Sequence, residues 1–203
     1  EVTVFEQLDV IGGMLAVGLP EYRLPRDKFA KEIELFKEMG IEFVPGTRVG
    51  KDISIKDLRH KGYMAVYLAV GDHNDRKLGI EGEDANGVVS GVSFLRSVNT
   101  GSGYDFSGKE VVVVGGGNVS MDCARTAIRL GAAKVSLFCL EKEKEMPAHA
   151  DEVREGREEG LYVFNSWGPK VINAVDGNVD SVTFKKCVSV FDSNGRFSPA
   201  YDD

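Results

Sequence analysis

A glycine-rich turn between an apolar run and an amphipathic segment is the part of this sequence best suited to chemistry. Residues 110–114 read Glu-Val-Val-Val-Val, three glycines follow, and a helical pattern begins at Asn118. Gly115 would make the tight turn, Gly117 would let the backbone approach a pyrophosphate, and Ser120 would stand at the close helix–strand contact. The helix N-terminus would present free N–H groups to the phosphates. This context predicts a dinucleotide site, the alternative being a tight turn without a ligand. The predicted contact residues are Gly115, Gly116, Gly117, Asn118, Val119 and Ser120.

An acidic residue follows this turn at a distance that suits a nucleotide ribose. Glu141 lies 24 residues beyond Gly117, close to the spacing at which a carboxylate accepts from the adenosine ribose hydroxyls. The same carboxylate would repel a 2′-phosphate, so Glu141 favours NADH over NADPH. The alternative is that Glu141 only opens the solvated run 141–145, with its two lysines binding the phosphate as point charges.

Composition excludes several classes of function. The chain has 203 residues, of which 42% are hydrophobic, enough for one large or two small domains with a buried core. The net charge of −7 argues against nucleic acid or an anionic membrane surface as a partner. No apolar run approaches the length of a membrane span.

Cysteine and histidine form no catalytic or metal-binding pattern. The three cysteines are far apart and make no CxxC spacing, so we expect buried, reduced thiols and a cytoplasmic protein. The three histidines fall in unrelated segments, so we expect neither a metal site nor a catalytic triad. These residues are Cys123, Cys139, Cys187, His60, His73 and His149.

The second half of the chain reads as a βαβ unit followed by hairpins. The apolar periodicity and turn residues predict, in order, a strand at Glu110–Val114, a helix at Asn118–Leu130, a strand at Lys134–Leu140, a helix near Ala150–Glu159, a strand at Leu161–Phe164, and turns at Asp176–Asn178 and Ser193–Gly195.

The first half reads as a second α/β segment. The patterns predict a strand at Glu1–Glu6, a helix near Arg26–Met39, a strand at Ile41–Val44, a short helix capped by Ser54, and a buried strand at Met64–Val70. Thr100–Gly103 is the best candidate domain boundary. Because the first strand is already under way at Glu1, we expect the chain to be an internal part of a longer protein.

Several strings fall in the order found in one family. They are Gly12-Gly13-Met14-Leu15, Gly18-Leu19-Pro20-Glu21-Tyr22-Arg23-Leu24-Pro25, Leu68-Ala69-Val70-Gly71, Gly115-Gly116-Gly117-Asn118-Val119 with Met121-Asp122, and Glu145-Met146-Pro147-Ala148. The chain resembles, over essentially its whole length, the small (beta) subunit of bacterial glutamate synthase and its relatives. Those relatives include the flavin subunit of NADH-dependent ferredoxin:NADP oxidoreductases and the N-terminal half of dihydropyrimidine dehydrogenase.

The resemblance implies an α/β fold with two dinucleotide-binding parts. Residues 1–102 resemble part of an FAD-binding domain, and residues 103–203 resemble an NAD(P)H-binding, Rossmann-like βαβ domain with hairpin strands that lacks its last element. In the first part, Glu6 matches an acid that hydrogen-bonds the FAD ribose. Gly12, Gly13 and Arg23 match positions that line the flavin, and Gly71 matches a strand end beneath it.

The resemblance also implies an activity. The intact protein would be an NAD(P)H-dependent flavin oxidoreductase that passes electrons to an iron–sulfur partner domain or subunit, as in glutamate synthase, or that serves ferredoxin or another reductase. No residue is expected to act as a catalytic acid or base, because hydride transfer depends on the alignment of two rings. NADPH-using relatives carry two arginines where this chain has Leu140 and Glu141. A module that senses NAD(H) without turnover is an alternative of another class.

Overall fold

The structure is a computed structural model that describes residues 1–74 and 76–202. The backbone divides into two compact units. The first unit comprises Glu1–Asn74 with Asn99–Ser102, and the second comprises Asp75–Val98 with Gly103–Asp203. Within the described residues, no helix is long and apolar enough to cross a membrane.

The first unit is built on a two-stranded parallel sheet. Strand β1 (Val2–Phe5) pairs in register with β2 (Ile41–Val44). The helices are α1 (Gly13–Val17), α2 (Arg26–Glu38) and α3 (Ile55–His60). Ser54 caps α3 as predicted: its hydroxyl accepts from the Asp57 N–H, and the Asp57 carboxylate accepts from the Ser54 N–H.

The predicted buried strand at Met64–Val70 is wrong. These residues pair with no strand among those described, and their large apolar side chains face solvent, with Met64 fully exposed and Tyr67 92% exposed. The apolar pattern alone predicted a strand, but a strand is stabilised by its ladder. In this unit β1 pairs with β2, and residues 64–70 have no ladder partner among the described residues.

The second unit begins with a helix and continues as the predicted βαβ unit. Helix α4 (Gly91–Asn99) lies in this unit up to Val98. Strands β3 (Glu110–Val114), β4 (Lys134–Cys139) and β5 (Tyr162–Asn165) form a parallel sheet in that order. Two helices connect them: α5 (Asn118–Arg129) and α6 (Ala150–Glu158). These bounds agree with the sequence prediction to within two residues.

One face of α5 forms the core of this unit. Met121, Ala124 and Ala127 recur at the spacing of one helix face and are at most 1% exposed. They pack in one cluster with Val135 and Leu137 of β4. The helix that starts at the glycine turn is therefore anchored along its length, which fixes the direction in which its N-terminus points.

The rest of the second unit is an antiparallel sheet of three strands. Strands β6 (Trp167–Val175), β7 (Asn178–Phe191) and β8 (Phe197–Tyr201) pair in chain order. Both predicted hairpin turns are present. At the first, Asp176 and Gly177 have φ angles of 50° and 77°, as a two-residue hairpin turn requires.

Candidate dinucleotide site

The glycine turn follows the C-terminal end of β3. The Gly115 N–H donates to the Phe138 carbonyl of β4 at 2.9 Å, and Gly115 has a φ of 135°, which side chains other than glycine rarely adopt. A Cβ on residue 115 would lie 2.5 Å from the Ser120 hydroxyl oxygen. Gly115 and Ser120 therefore make the close turn–helix contact that their spacing predicted.

Gly117 is a glycine that the fold does not require. It precedes α5 as its N-cap, with φ −93° and ψ 174°, an extended conformation open to any residue. A Cβ on residue 117 would meet no atom within 4 Å among the described residues. The helix therefore starts beside open space, where its first N–H groups lack partners within the helix.

Glu141 lies against the middle glycine of the turn. A Cβ on Gly116 would be 2.6 Å from the Glu141 Oε2 atom and 3.1 Å from the Cβ of Cys139. The neighbouring Leu140 side chain lies elsewhere, since its Cδ2 is 2.9 Å from the position of a Cβ on Gly168 of β6. Of the two positions at which the resemblance implies arginine in NADPH-using relatives, Glu141 is the one whose side chain lies at the turn.

The loop before α6 is hydrogen-bonded to the turn and to the first residue of α5. The Ala148 N–H donates to the Gly116 carbonyl at 3.0 Å, and the His149 N–H donates to the Asn118 side-chain oxygen at 2.9 Å. Asn118 is thus held by protein, while Val119 is half exposed. Sequence analysis gave no role to residues 148 and 149, because backbone donors leave no signal in residue type.

Two cations, Lys142 and Arg157, pair with carboxylates of the charged run 141–145. Lys142 lies 3.8 Å from Glu145, and Arg157 donates to Glu143 at 2.6 Å. All four side chains are more than 40% exposed, so each pair adds little stability.

A buried ion cluster joins α5 to α6. The Arg125 side chain is only 6% exposed and contacts Glu152, Glu155 and Glu159 at 3.6, 2.8 and 2.7 Å. Burial opposes ionisation of Glu159, but hydrogen bonds from Arg129 and Arg125 outweigh it and lower the pKa of Glu159. Sequence analysis missed this cluster, because residues 27 or more apart in the chain give no helical spacing signal.

The predicted FAD-contacting residues of the first unit have mixed surroundings. Gly12 and Gly13 have positive φ angles, but a Cβ on Gly12 would collide with the ring of Phe29, whereas a Cβ on Gly13 would meet nothing within 4 Å. One oxygen of the Glu6 carboxylate accepts from the Leu8 N–H at 2.8 Å. The remaining two are exposed residues, namely Arg23 and Gly71.

The cysteines are buried free thiols. Burial, and then the charge of Glu141, raise the pKa of Cys139 to about 11, so this thiol is protonated at neutral pH. Among the described residues, no group of three or more His, Cys, Asp or Glu side chains could hold a metal ion.

Comparison with known proteins identifies the family. The model of the pyridine nucleotide-disulphide oxidoreductase family matches residues 10–188. The chain belongs to this family. The resemblance to the glutamate synthase small subunit is also confirmed: the chain is 39% identical to the glutamate synthase [NADPH] small chain of Escherichia coli over 80% of the chain and 36% of that relative.

Two further proteins are similar over nearly the whole chain. The NADP(+)-dependent formate dehydrogenase subunit beta of Moorella thermoacetica is 44% identical over 98% of the chain and 28% of that subunit. FprA from Mycobacterium tuberculosis, solved in complex with NADPH, has the same fold, with a TM-score of 0.83 and 20% identity over 98% of the chain and 60% of FprA. The chain spans about a third of the two curated relatives named here.

Proposed function

We propose that residues 103–203 bind a nicotinamide dinucleotide at the glycine turn. The open space beside Gly117 carries this proposal, because it lies at the N-terminus of a buried helix directly after a parallel strand. A pyrophosphate there would accept from the first N–H groups of α5 and gain from the helix dipole. The proposed contact residues are Gly115, Gly116, Gly117, Asn118, Val119 and Ser120.

We propose NADH as the preferred dinucleotide. The Glu141 carboxylate contacts the turn, where it would accept from the 2′- and 3′-hydroxyls of the adenosine ribose. Two negative charges 4 Å apart repel by about 1 kcal/mol in water and by about 4 kcal/mol near a protein surface, so a 2′-phosphate would be disfavoured. NADPH is the second candidate, because two relatives are named for NADP or NADPH.

We propose that residues 1–102 are part of an FAD-binding domain. The open space at Gly13 and the position of Arg23 at an exposed part of the chain support this assignment. Gly12 supports it less, since the packing of Phe29 alone requires glycine at that position. One carboxylate oxygen of Glu6 accepts from the Leu8 N–H, which leaves the other oxygen for a ribose hydroxyl. Gly71 completes the set of proposed FAD contacts.

For the whole protein we propose oxidation of NAD(P)H, with FAD as the hydride acceptor and iron–sulfur centres as onward carriers of single electrons. The family and the relatives support this reaction, which needs no catalytic acid or base from this chain. The residues at the glycine turn would hold the dinucleotide and orient it. Service to ferredoxin or another reductase, and a cytoplasmic location, remain predictions.

Calorimetric titration of the 203-residue chain with NADH and with NADPH tests the binding proposal. Saturable binding of either dinucleotide is expected, and NADH should bind more tightly. A chain that binds neither would refute the site. Turnover is tested separately in the full-length protein, where NAD(P)H should bleach the flavin absorbance. Binding without bleaching would favour the sensor alternative.

A further inference from the structure

The backbone of Glu141 is held in place although it lies two residues beyond β4. Its carbonyl oxygen accepts from the Ser166 N–H at 3.0 Å, from the Asn165 Nδ2 at 3.2 Å and from the Cys139 thiol at 3.7 Å. Most backbone carbonyls in proteins have one or two partners. This carbonyl has three, at the residue whose carboxylate contacts the glycine turn.

The donor Ser166 has an uncommon backbone conformation. Its φ of 62° lies in the left-handed region, which residues other than glycine adopt mainly where their surroundings hold them. In this conformation its N–H reaches Glu141, and its carbonyl accepts from the Cys187 N–H of β7 at 2.9 Å. The support of Glu141 is therefore tied to the antiparallel sheet.

Asn165 is the residue that contacts the Glu141 carbonyl through a side-chain amide. Its Nδ2 donates both to the Cys139 Sγ and to the Glu141 carbonyl, each at 3.2 Å. It thereby spans the residues on either side of Leu140. We infer that Asn165 is a positioning residue, which holds the Glu141 carboxylate over the glycine turn and so contributes to the choice between NADH and NADPH.

The inference rests on the proposed function, and it predicts a selective effect. NADH would depend more than NADPH on an ordered Glu141 carboxylate, because NADPH offers only its 3′-hydroxyl there and its 2′-phosphate repels the carboxylate. Loss of the Asn165 donor would let residue 141 move away from the turn. NADH would then lose its hydrogen bonds to the carboxylate, whereas the smaller loss to NADPH would be offset by weaker repulsion of its 2′-phosphate.

The test compares Asn165→Leu with Asn173→Leu in the 203-residue chain. Leucine has the branched shape and the number of side-chain heavy atoms of asparagine but no donor. Asn173 is the matched control: its Nδ2 likewise donates to two partners, Ser181 and Thr183, both at 3.1 Å, but these lie in the exposed hairpin β6–β7. Calorimetry with NADH and NADPH measures binding, and thermal melts followed by circular dichroism show whether each variant folds.

We expect Asn165→Leu to raise the Kd for NADH by about 3- to 10-fold, the range that one hydrogen bond provides. The Kd for NADPH should stay within about twofold, and Asn173→Leu should change neither value. When Glu141 is replaced in the same chain by a residue without an acceptor (Glu141→Ala), the added Asn165→Leu change should have no further effect on NADH.

Three outcomes would overturn the inference. The first is parallel weakening of NADH and NADPH by Asn165→Leu, which would indicate a general structural role. The second is an undiminished effect in the Glu141→Ala background. The third is failure of both Asn165→Leu and Asn165→Ala to fold. A wild-type chain that binds neither dinucleotide would instead refute the proposed function on which the inference rests.

Discussion

The carboxylate of Glu141 lies against the backbone of Gly116, with Oε2 only 2.6 Å from the position that a Cβ on residue 116 would occupy. A side chain at position 116 would therefore displace the Glu141 carboxylate from its contact with the turn. The contact joins the turn after β3 to the end of β4. A ribose bound at this edge would meet the carboxylate and the helix N-terminus together.

This contact predicts which dinucleotide the chain prefers. NADH should bind at least about tenfold more tightly than NADPH, a difference of about 1.4 kcal/mol, because the carboxylate accepts from the ribose and repels the 2′-phosphate. Replacing Leu140 and Glu141 together with Arg should reverse the preference. Both dissociation constants are to be measured by calorimetry at one ionic strength.

A neighbouring acid provides the control for this prediction. Glu145 belongs to the same charged run, but it is exposed and pairs with Lys142. Glu145→Gln should leave the ratio of the Kd for NADPH to the Kd for NADH unchanged, whereas Glu141→Gln should lower this ratio. Equal or tighter binding of NADPH by the wild-type chain would contradict the assignment of Glu141.

Gly117→Val should abolish dinucleotide binding while the protein stays folded. The φ of −93° suits valine, and no atom within 4 Å opposes its Cβ. The side chain would instead occupy the space proposed for the pyrophosphate. We expect affinity to fall by about 100-fold or more, which is about 2.8 kcal/mol, as measured by calorimetry beside a thermal melt.

Gly103→Val is the matched control for this substitution. Gly103 also has open space around its would-be Cβ and a φ outside the left-handed region, but it lies in the loop before β3. This variant should bind as the wild type does. A folded Gly117→Val protein with unchanged affinity would show that the ligand lies elsewhere.

The βαβ unit was predictable because its local signals and its packing agree. The valine run, the glycine turn and the Met121–Ala124–Ala127 face each specify one element, and those elements pair with one another within the chain. The same holds for the Asp176–Gly177 turn, whose residue types match the two positive φ angles. Where local propensity, turn residues and core packing all favour the same structure, that structure can be predicted from the sequence.

Two features were not predictable from local patterns. Residues 64–70 have the composition of a strand, but no described strand pairs with them. The Arg125 cluster joins two helices whose relative placement no residue spacing reports. The spacing of Glu141 was informative, yet the backbone donors of residues 148, 149 and 166 and the side-chain donor of Asn165 depend on the fold.

The 203-residue chain should be purified without bound flavin. In the described part of the first unit the sheet has two strands, and the helix after Gly12 and Gly13 has only five residues. The turn at 115–117, with a twelve-residue helix behind it, lies in the second unit. The preparation should be colourless, and calorimetry on the same sample should detect NADH. A yellow protein with one flavin per chain would contradict this prediction.

Arg125 and Arg129 should differ strongly in their contributions to stability. Arg125→Ala removes the buried cation that contacts Glu152, Glu155 and Glu159, although Glu159 keeps its bond to Arg129, and breaking a buried pair costs about 3–5 kcal/mol. The Arg129 side chain, 47% exposed and paired with Glu159, should contribute at most about 1 kcal/mol. Urea unfolding of the two alanine variants measures both values. Equal losses in the free energy of unfolding for the two variants would show that the cluster does not stabilise the contact between α5 and α6.

The buried thiol of Cys139 predicts a loss of stability at alkaline pH. Its pKa is raised from 9.0 to about 11, chiefly by burial and then by the charge of Glu141. A raised pKa means that the folded protein favours the protonated thiol, so the associated stability is complete below pH 9 and declines as the pH rises towards 11.

Cys139→Ala removes this titrating group and should flatten the decline. Each pKa unit corresponds to about 1.4 kcal/mol, so the two-unit shift limits the contribution of this thiol to about 3 kcal/mol. Burial also raises the pKa values of Cys187 and Tyr201, and part of the decline should therefore persist in the variant. Urea unfolding at several values between pH 8 and pH 11 would measure the difference, and parallel curves for wild type and Cys139→Ala would show that this thiol does not contribute to it.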